Sequence, residues 1–274
     1  MALSFFTSYA FDQYRQGRFK TEEDAFRFMR ESGIEHGDII DLDFEEYPLY
    51  LQHEIMTAGG VFPVCFISTL DVVGVDSKRR ERNIAITKER IDSASKLGIP
   101  TFMVAPFGFT VESSEEYKRV QENLIESLSM FAEYGKKAGV EILAENHSSL
   151  WRPDSRMKDV RYFIDAVPEI TYIFDMGNFF CIGEDVKEAY ELLKDKTKKV
   201  HLKDWKYDPF GDFEREGLPR FRGCELGVGE IPLKDMLKSL KADGFNGDMV
   251  IEINSPCTWD EFDRSVKLAK ENFR

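Results

Sequence analysis

Short runs of aliphatic, β-branched and aromatic residues alternate with longer stretches in which apolar positions recur every three or four residues, along all 274 positions. The runs at residues 3–8, 38–44, 61–68, 101–106, 140–145, 170–175, 199–203 and 248–253 predict eight strands. Most are continuously apolar rather than alternating, which suits parallel strands covered on both faces. The stretches between them carry helix punctuation. Thr21, Ser113 and Thr258 are each followed three residues later by an acid, the pattern that caps a helix start. Val120, Leu124, Leu128 and Phe131 form one apolar stripe on the longest predicted helix. Gly33, Gly98, Gly139 and Gly244 stand between a helical pattern and a strand, where a left-handed cap is commonly needed, and Pro168 closes another helix by excluding a further turn.

Eight β/α units in about 250 residues predict an α/β protein, a single (β/α)8 TIM barrel spanning 1–274, with a long loop at 205–230 after strand seven. An open doubly wound sheet is the alternative, but no GxGxxG follows the first strand. In a barrel, strand C-terminal ends converge on one face. The stretch VEILAENHSS runs apolar to Ala144 and then stops on Glu145, Asn146 and His147, groups that are costly to bury. Read in the same way, strands six to eight end near Asp175, His201 and Glu252. Three carboxylates crowded in one pocket repel and resist ionisation. A divalent cation removes that conflict, and carboxylate plus imidazole donors suit Mn²⁺, Mg²⁺, Co²⁺ or Zn²⁺. The expected metal ligands are therefore Glu145, Asp175, His201 and Glu252.

The runs LAENH, DMGN, VHLKD and GVGEIPLKDMLKSLKADGFNGDMVIEI resemble the sugar phosphate isomerase/epimerase branch of the xylose-isomerase-like barrels. The resemblance covers the last half of the chain well and the first half only in its β/α rhythm. It implies one divalent metal on those four residues, with Glu145 and Glu252 also serving as the acid/base pair. Endonuclease IV shares the ancestry, but its three-metal site is rich in histidine. This chain has only His36, His53, His147 and His201, the first two away from strand C-terminal ends, which excludes a close match. Ketose epimerases of the family often place a histidine three residues after the strand-six aspartate, where this chain has Asn178. An amide can hydrogen-bond a sugar hydroxyl but cannot carry a proton near neutral pH.

The metal-bound substrate carbonyl would acidify its neighbouring C–H, one glutamate would take the proton, and the cation would stabilise the enediolate. Return of the proton gives an isomerase or epimerase of a small sugar. Expulsion of a β-hydroxyl gives a dehydratase of an inosose-type polyol, and a non-catalytic sugar-binding barrel is a third reading. His147 and Lys203 lie two residues beyond a ligand position, so strand periodicity places them as substrate contacts beside Asn178, and Lys203 would balance developing charge. Arg222 is a further candidate, in the aromatic segment 205–230, which reads as a lid or a subunit contact and so leaves a homo-oligomer open. Asp204 reads as a structural hydrogen-bond acceptor. GCELGVGE is only a weak lookalike of a phosphate loop, lacking the lysine and the strand-to-helix setting.

Charge narrows the partners. A formal net charge of −13 argues against nucleic acid, and no apolar run is long enough to span a membrane. The first residues lack a basic start followed by an apolar block, and Cys65, Cys181, Cys224 and Cys257 form no CxxC pair, so the expectation is a cytoplasmic protein with reduced thiols.

Overall fold

The computed structural model describes residues 2–211, 213, 217, 219–253 and 258–273, with Asp43 and Phe273 described by their backbone alone. Eight parallel strands form the barrel: β1 (Leu3–Phe5), β2 (His36–Ile40), β3 (Phe62–Ser68), β4 (Thr101–Val104), β5 (Glu141–Glu145), β6 (Thr171–Asp175), β7 (Thr197–Leu202) and, after a two-stranded ribbon, β10 (Asp248–Ile251). Their order is β1-β10-β7-β6-β5-β4-β3-β2, and a parallel bridge from Phe6 to Asp38 joins the two ends of the sheet. This is the (β/α)8 barrel that the alternation predicts.

The helices are α1 (Thr7–Arg15), α2 (Glu22–Glu31), α3 (Leu49–Ala58), α4 (Ser77–Lys96), α5 (Ser114–Ala138), α6 (Met157–Ala166), α7 (Met176–Cys181), α8 (Val186–Leu193), α9 (Leu233–Ala242) and α10 (Trp259–Phe273). Thr21 and Ser113 accept from the amides of Asp24 and Glu116 at the starts of α2 and α5. Gly139 ends α5 with φ +74°, a conformation that strains any residue bearing a Cβ. Among the described residues, no helix is long and apolar enough to cross a membrane.

Two predicted strands stop three or more residues early, and both differences shape the barrel mouth. The run at 3–8 ends as a strand at Phe5, with Phe6 kept only in its bridge to Asp38, and α1 starts at Thr7, whose hydroxyl donates to Gln52 on α3. The run at 38–44 ends at Ile40, and Asp41–Asp43 form a 3-10 turn. There the Asp41 carboxylate accepts from the Thr69 amide (2.9 Å), the Thr69 hydroxyl (2.6 Å) and Arg90 of α4. A side chain satisfied by the neighbouring loop and helix competes successfully with one more strand residue.

The chain has two apolar cores. The larger lies between the strands and the surrounding helices, with Phe5, Phe26, Phe66, Phe102, Phe131 and Phe174 fully buried. The smaller fills the barrel itself with Ile40, Cys65, Ile67, Met103, Ala105, Leu143 and Ile173. Of that inner layer, Ile40, Ile67, Met103 and Ala105 line the cavity at the C-terminal ends of the strands.

The segment predicted as a loop at 205–230 contains an antiparallel ribbon, β8 (Trp205–Tyr207) with β9 (Phe221–Gly223). Phe221 packs on Phe180 and Tyr207, and Trp205 on Phe213. Residues 212, 214–216 and 218, in the middle of the expected lid, lie outside the described residues.

Candidate active site

β5 delivers Glu145 to the mouth, β6 delivers Asp175, β7 delivers His201, and Glu252 follows β10 directly. His201 Nδ1 lies 3.0 Å from Glu145 Oε2, 3.3 Å from Glu252 Oε2 and 3.8 Å from Asp175 Oδ2. His201 and Asp175 are fully buried. Glu145 Oε2, Asp175 Oδ2 and both His201 ring nitrogens have no hydrogen-bond partner among the described residues. Donor atoms of Glu145, Asp175 and His201 all lie within 4.8 Å of one another. Buried polar atoms are nearly always paired, so unpaired acceptors facing one point mark a place for a positive charge. The donor set fits a divalent cation, with Glu145, Asp175 and His201 as the compact group and Glu252 against the same imidazole.

Electrostatics points the same way. Burial opposes a charge on His201, but the carboxylates of Glu145, Asp175 and Glu252 outweigh it and push the imidazole well above its ordinary range. Burial likewise opposes the Asp175 carboxylate, yet Lys203 and His201 hold it below the usual range. Lys203 is itself buried and pushed up by Asp175 and Glu252. Its ammonium lies 2.6 Å from Glu252 Oε1 and 2.9 Å from Asp175 Oδ2, and donates to Asn178 Oδ1 at 3.2 Å. Period-two alternation places Lys199, His201 and Lys203 on the same face of β7.

His147 lies over Glu145, with Nε2 3.7 Å from Glu145 Oε1 and Nδ1 3.1 Å from Asp154 Oδ2. Arg152 holds both oxygens of Asp154 at 2.9 and 2.7 Å, and Asp154 is nearly fully buried. Burial opposes its charge, but Arg152 and His147 bring the carboxyl well below the ordinary range. The His147 amide also donates to the Asp154 carbonyl at 2.8 Å, so backbone and side chain fix the imidazole together.

The cavity beside this cluster has a volume of about 910 Å³. Glu145, His147, Asn178, Lys203 and Glu252 line it, with Phe6, Ile67, Met103, Phe107 and Phe262 as its apolar wall. Arg222 does not line it. The Arg222 guanidinium pairs with Asp208 at 2.7 Å and donates to the Phe210 carbonyl, both within the ribbon. No described residue of 205–230 lines the cavity either, because aromatic packing holds the ribbon against Phe180 of α7. The lid expectation does not hold for the described part of that segment.

Three positioning residues escaped sequence reasoning. Asn146 is fully buried, and its side-chain oxygen accepts from the Tyr172 hydroxyl (2.7 Å) and the Asp175 amide (2.9 Å). Its side-chain nitrogen donates to the Asp175 carbonyl at 2.8 Å, so the amide pairs with Asp175 as another strand residue would. The Asn178 side chain then donates to the Asn146 carbonyl at 2.9 Å. Tyr172 and Asp154 complete the supports. Asn146 sits at a strand end already under scrutiny and only its role was hidden, whereas Tyr172, near the start of β6, and Asp154 had no local signal. The phosphate-loop lookalike has a different use. The Asp204 carboxylate accepts from the amides of Gly227 (2.8 Å), Gly229 (3.0 Å), Ile231 (3.3 Å) and Trp205 (2.9 Å). A Cβ on Gly229 would lie 2.1 Å from Asp204 Oδ1, so the glycine is needed for the loop to close on the carboxylate.

A family model described as xylose isomerase-like TIM barrel matches residues 26–273. The chain belongs to that family. The inosose dehydratase of Mesomycoplasma hyopneumoniae strain J is 24% identical over 140 residues, 48% of this chain and 46% of that protein. The inosose dehydratase of Clostridium perfringens (strain ATCC 13124) is 23% identical over 172 residues, 60% of this chain and 56% of that one. The chain thus spans about half the length of the curated relatives it matches. Among solved structures of the same fold, the IOLI protein with a binding zinc atom superposes with a TM-score of 0.75 at 17% identity, over 99% of this chain and 96% of that one. Both curated relatives named here are enzymes, each an inosose dehydratase.

Proposed function

We propose that this protein is a divalent-metal-dependent enzyme that removes the proton beside the carbonyl of a small polyhydroxy ketone. The observation that carries the reading is the convergence of Glu145, Asp175 and Glu252 oxygens on one imidazole nitrogen of His201. Glu145, Asp175, His201 and Glu252 would hold the metal, which supplies polarisation of the substrate carbonyl when bound. Glu145 accepts the proton from the adjacent carbon. Lys203 sits between Asp175 and Glu252, where its ammonium offsets negative charge developing on the substrate oxygen. His147, oriented by Asp154, offers Nε2 to a substrate hydroxyl, and Asn178 offers its amide. The wall of Phe6, Ile67, Met103 and Phe262 keeps water from the reacting carbon.

Two outcomes share this first step. Return of the proton, with Glu252 as the second acid/base group, makes an isomerase or epimerase. Loss of a β-hydroxyl makes a dehydratase. Curated relatives named inosose dehydratase favour the second. The purified protein in Mn²⁺ should be screened against ketoses and inososes in D₂O. Mass-conserving deuterium incorporation supports isomerisation, and a product lighter by one water supports dehydration. Absence of both exchange and water loss across the panel, with metal bound, would refute the proposal.

A further inference from the structure

α1 runs beside the cavity rather than behind the barrel wall. Ser8, Tyr9, Asp12, Gln13 and Gln16 all line the cavity, and their spacing is that of one helical face. Most of this stripe is polar, and it stands apart in sequence and in element from the carboxylate cluster of β5–β7 and β10. Gln13 is 1% exposed, yet its Oε1 has no hydrogen-bond partner among the described residues. An amide with one oxygen acceptor and two N–H donors can hold two neighbouring hydroxyls at once. A buried unpaired acceptor costs stability and is retained only where something else pairs with it. The cavity's 910 Å³ lies near the top of the range of about 300–1,000 Å³ for small-molecule sites. That is more than one six-carbon ring needs. Tyr9 stacks on Phe262 with ring centres 4.2 Å apart, placing an aromatic face in the same lining.

We propose that Gln13 is the centre of a second polar subsite, which binds the hydroxyls of a sugar ring attached at the end of the substrate remote from its carbonyl. The substrate class is then a glycosylated polyhydroxy ketone rather than a free monosaccharide. This rests on the reading of the carboxylate cluster as the reacting end.

Calorimetric titration of the Mn²⁺-loaded protein with two probes tests it. Fructose is a single ketose; isomaltulose is the same ketose carrying a glucose ring on the carbon farthest from its carbonyl. The wild type should bind isomaltulose more tightly, and Gln13→Met should reduce that preference by about tenfold, the loss of a hydrogen bond or two. Fructose binding and Mn²⁺ uptake should be unchanged, and Tm should hold or rise because a buried unpaired side-chain oxygen has been replaced by part of an apolar side chain of similar shape. Equal binding of isomaltulose by wild type and variant would overturn the subsite. So would a wild type that does not prefer isomaltulose, or a fall in Tm, which would mean that the amide holds a structural water only. If the wild type takes up no Mn²⁺, the reading of the carboxylate cluster fails instead, and the same titration separates the two failures.

Discussion

Two charged clusters are buried in the same barrel, one layer apart, and they are built in opposite ways. In the lower one Asp38 is fully buried, with Oδ1 accepting from Ser4 at 2.7 Å and Oδ2 from the Lys199 ammonium. Burial opposes the Lys199 charge, but Asp38 outweighs it and holds the amine above its usual range. One carboxylate meets one ammonium and both oxygens are paired, so the cluster needs nothing from outside. Cys65 beside it is pushed up to about 11 by burial, which leaves an unreactive thiol. In the upper cluster three carboxylates face one imidazole, Lys203 pairs with Asp175 and Glu252, and four buried ligand-type atoms make no hydrogen bond among the described residues. Closed charge balance marks the structural pair; open balance marks the site.

The largest expected effect breaks the lower cluster. Lys199→Met leaves Asp38 buried and unpaired and should destabilise the protein by about 3–5 kcal/mol in urea unfolding. Combining it with Asp38→Leu should restore most of that loss, because neither charge then remains. Metal uptake by the refolded double variant should match the wild type.

In the upper cluster the same logic predicts function lost while the fold remains. Glu145→Gln keeps the size of the side chain and one oxygen, and turnover at saturating metal should fall by at least about 10²-fold. Wild-type turnover in that variant would rule out Glu145 as the base. Next in size is Asn146→Ala, which removes the amide that pins the Asp175 backbone. Metal affinity should fall by about 10- to 100-fold, as for other residues that orient a ligand, and Mn²⁺ titration reads it directly. An unchanged affinity would reduce Asn146 to a strand-end filler.

The smallest effect lies at the foot of the barrel. Burial raises the Asp248 carboxyl, but the His36 imidazole and the Ala2 amide outweigh it and hold the group below its usual value. A depressed carboxyl stabilises the fold above the unfolded value near 3.9 and loses that contribution as pH falls through the folded value. Asp248→Asn should therefore flatten the loss of stability below about pH 4, by no more than about 1 kcal/mol for a partly exposed pair. An identical acid profile in the variant would remove Asp248 from this account.

The alternation of apolar runs and helical stripes, and the glycines and the proline that follow several of the helices, were legible residue by residue because they arise from local geometry. So was the convergence of Glu145, Asp175, His201 and Glu252, since strand ends share one face whatever the loops do. The extents of β1 and β2 were misread because Thr7, Asp41 and Arg90 find partners on elements distant in sequence. Arg222 was assigned to the substrate, and the aromatic segment around it to a lid or a subunit contact, on length and composition alone. Asp208, Phe210 and Phe180 decide where they lie, and none of those contacts has a periodic signature.

Local propensity and strand-end topology, both carried by the sequence alone, thus determined that this chain forms a β/α barrel with a ligand-type residue at each of its last four strand ends. Only the tertiary structure decided that Asp154 would orient His147, that Asn146 would pin Asp175, that Asp204 would take the amides of the glycine loop, and that α1 would line the mouth with Gln13. The physical reason is range. A strand or helix satisfies its backbone within itself or its neighbours, whereas a buried side chain must find whichever partner the packed loops bring within about 3 Å.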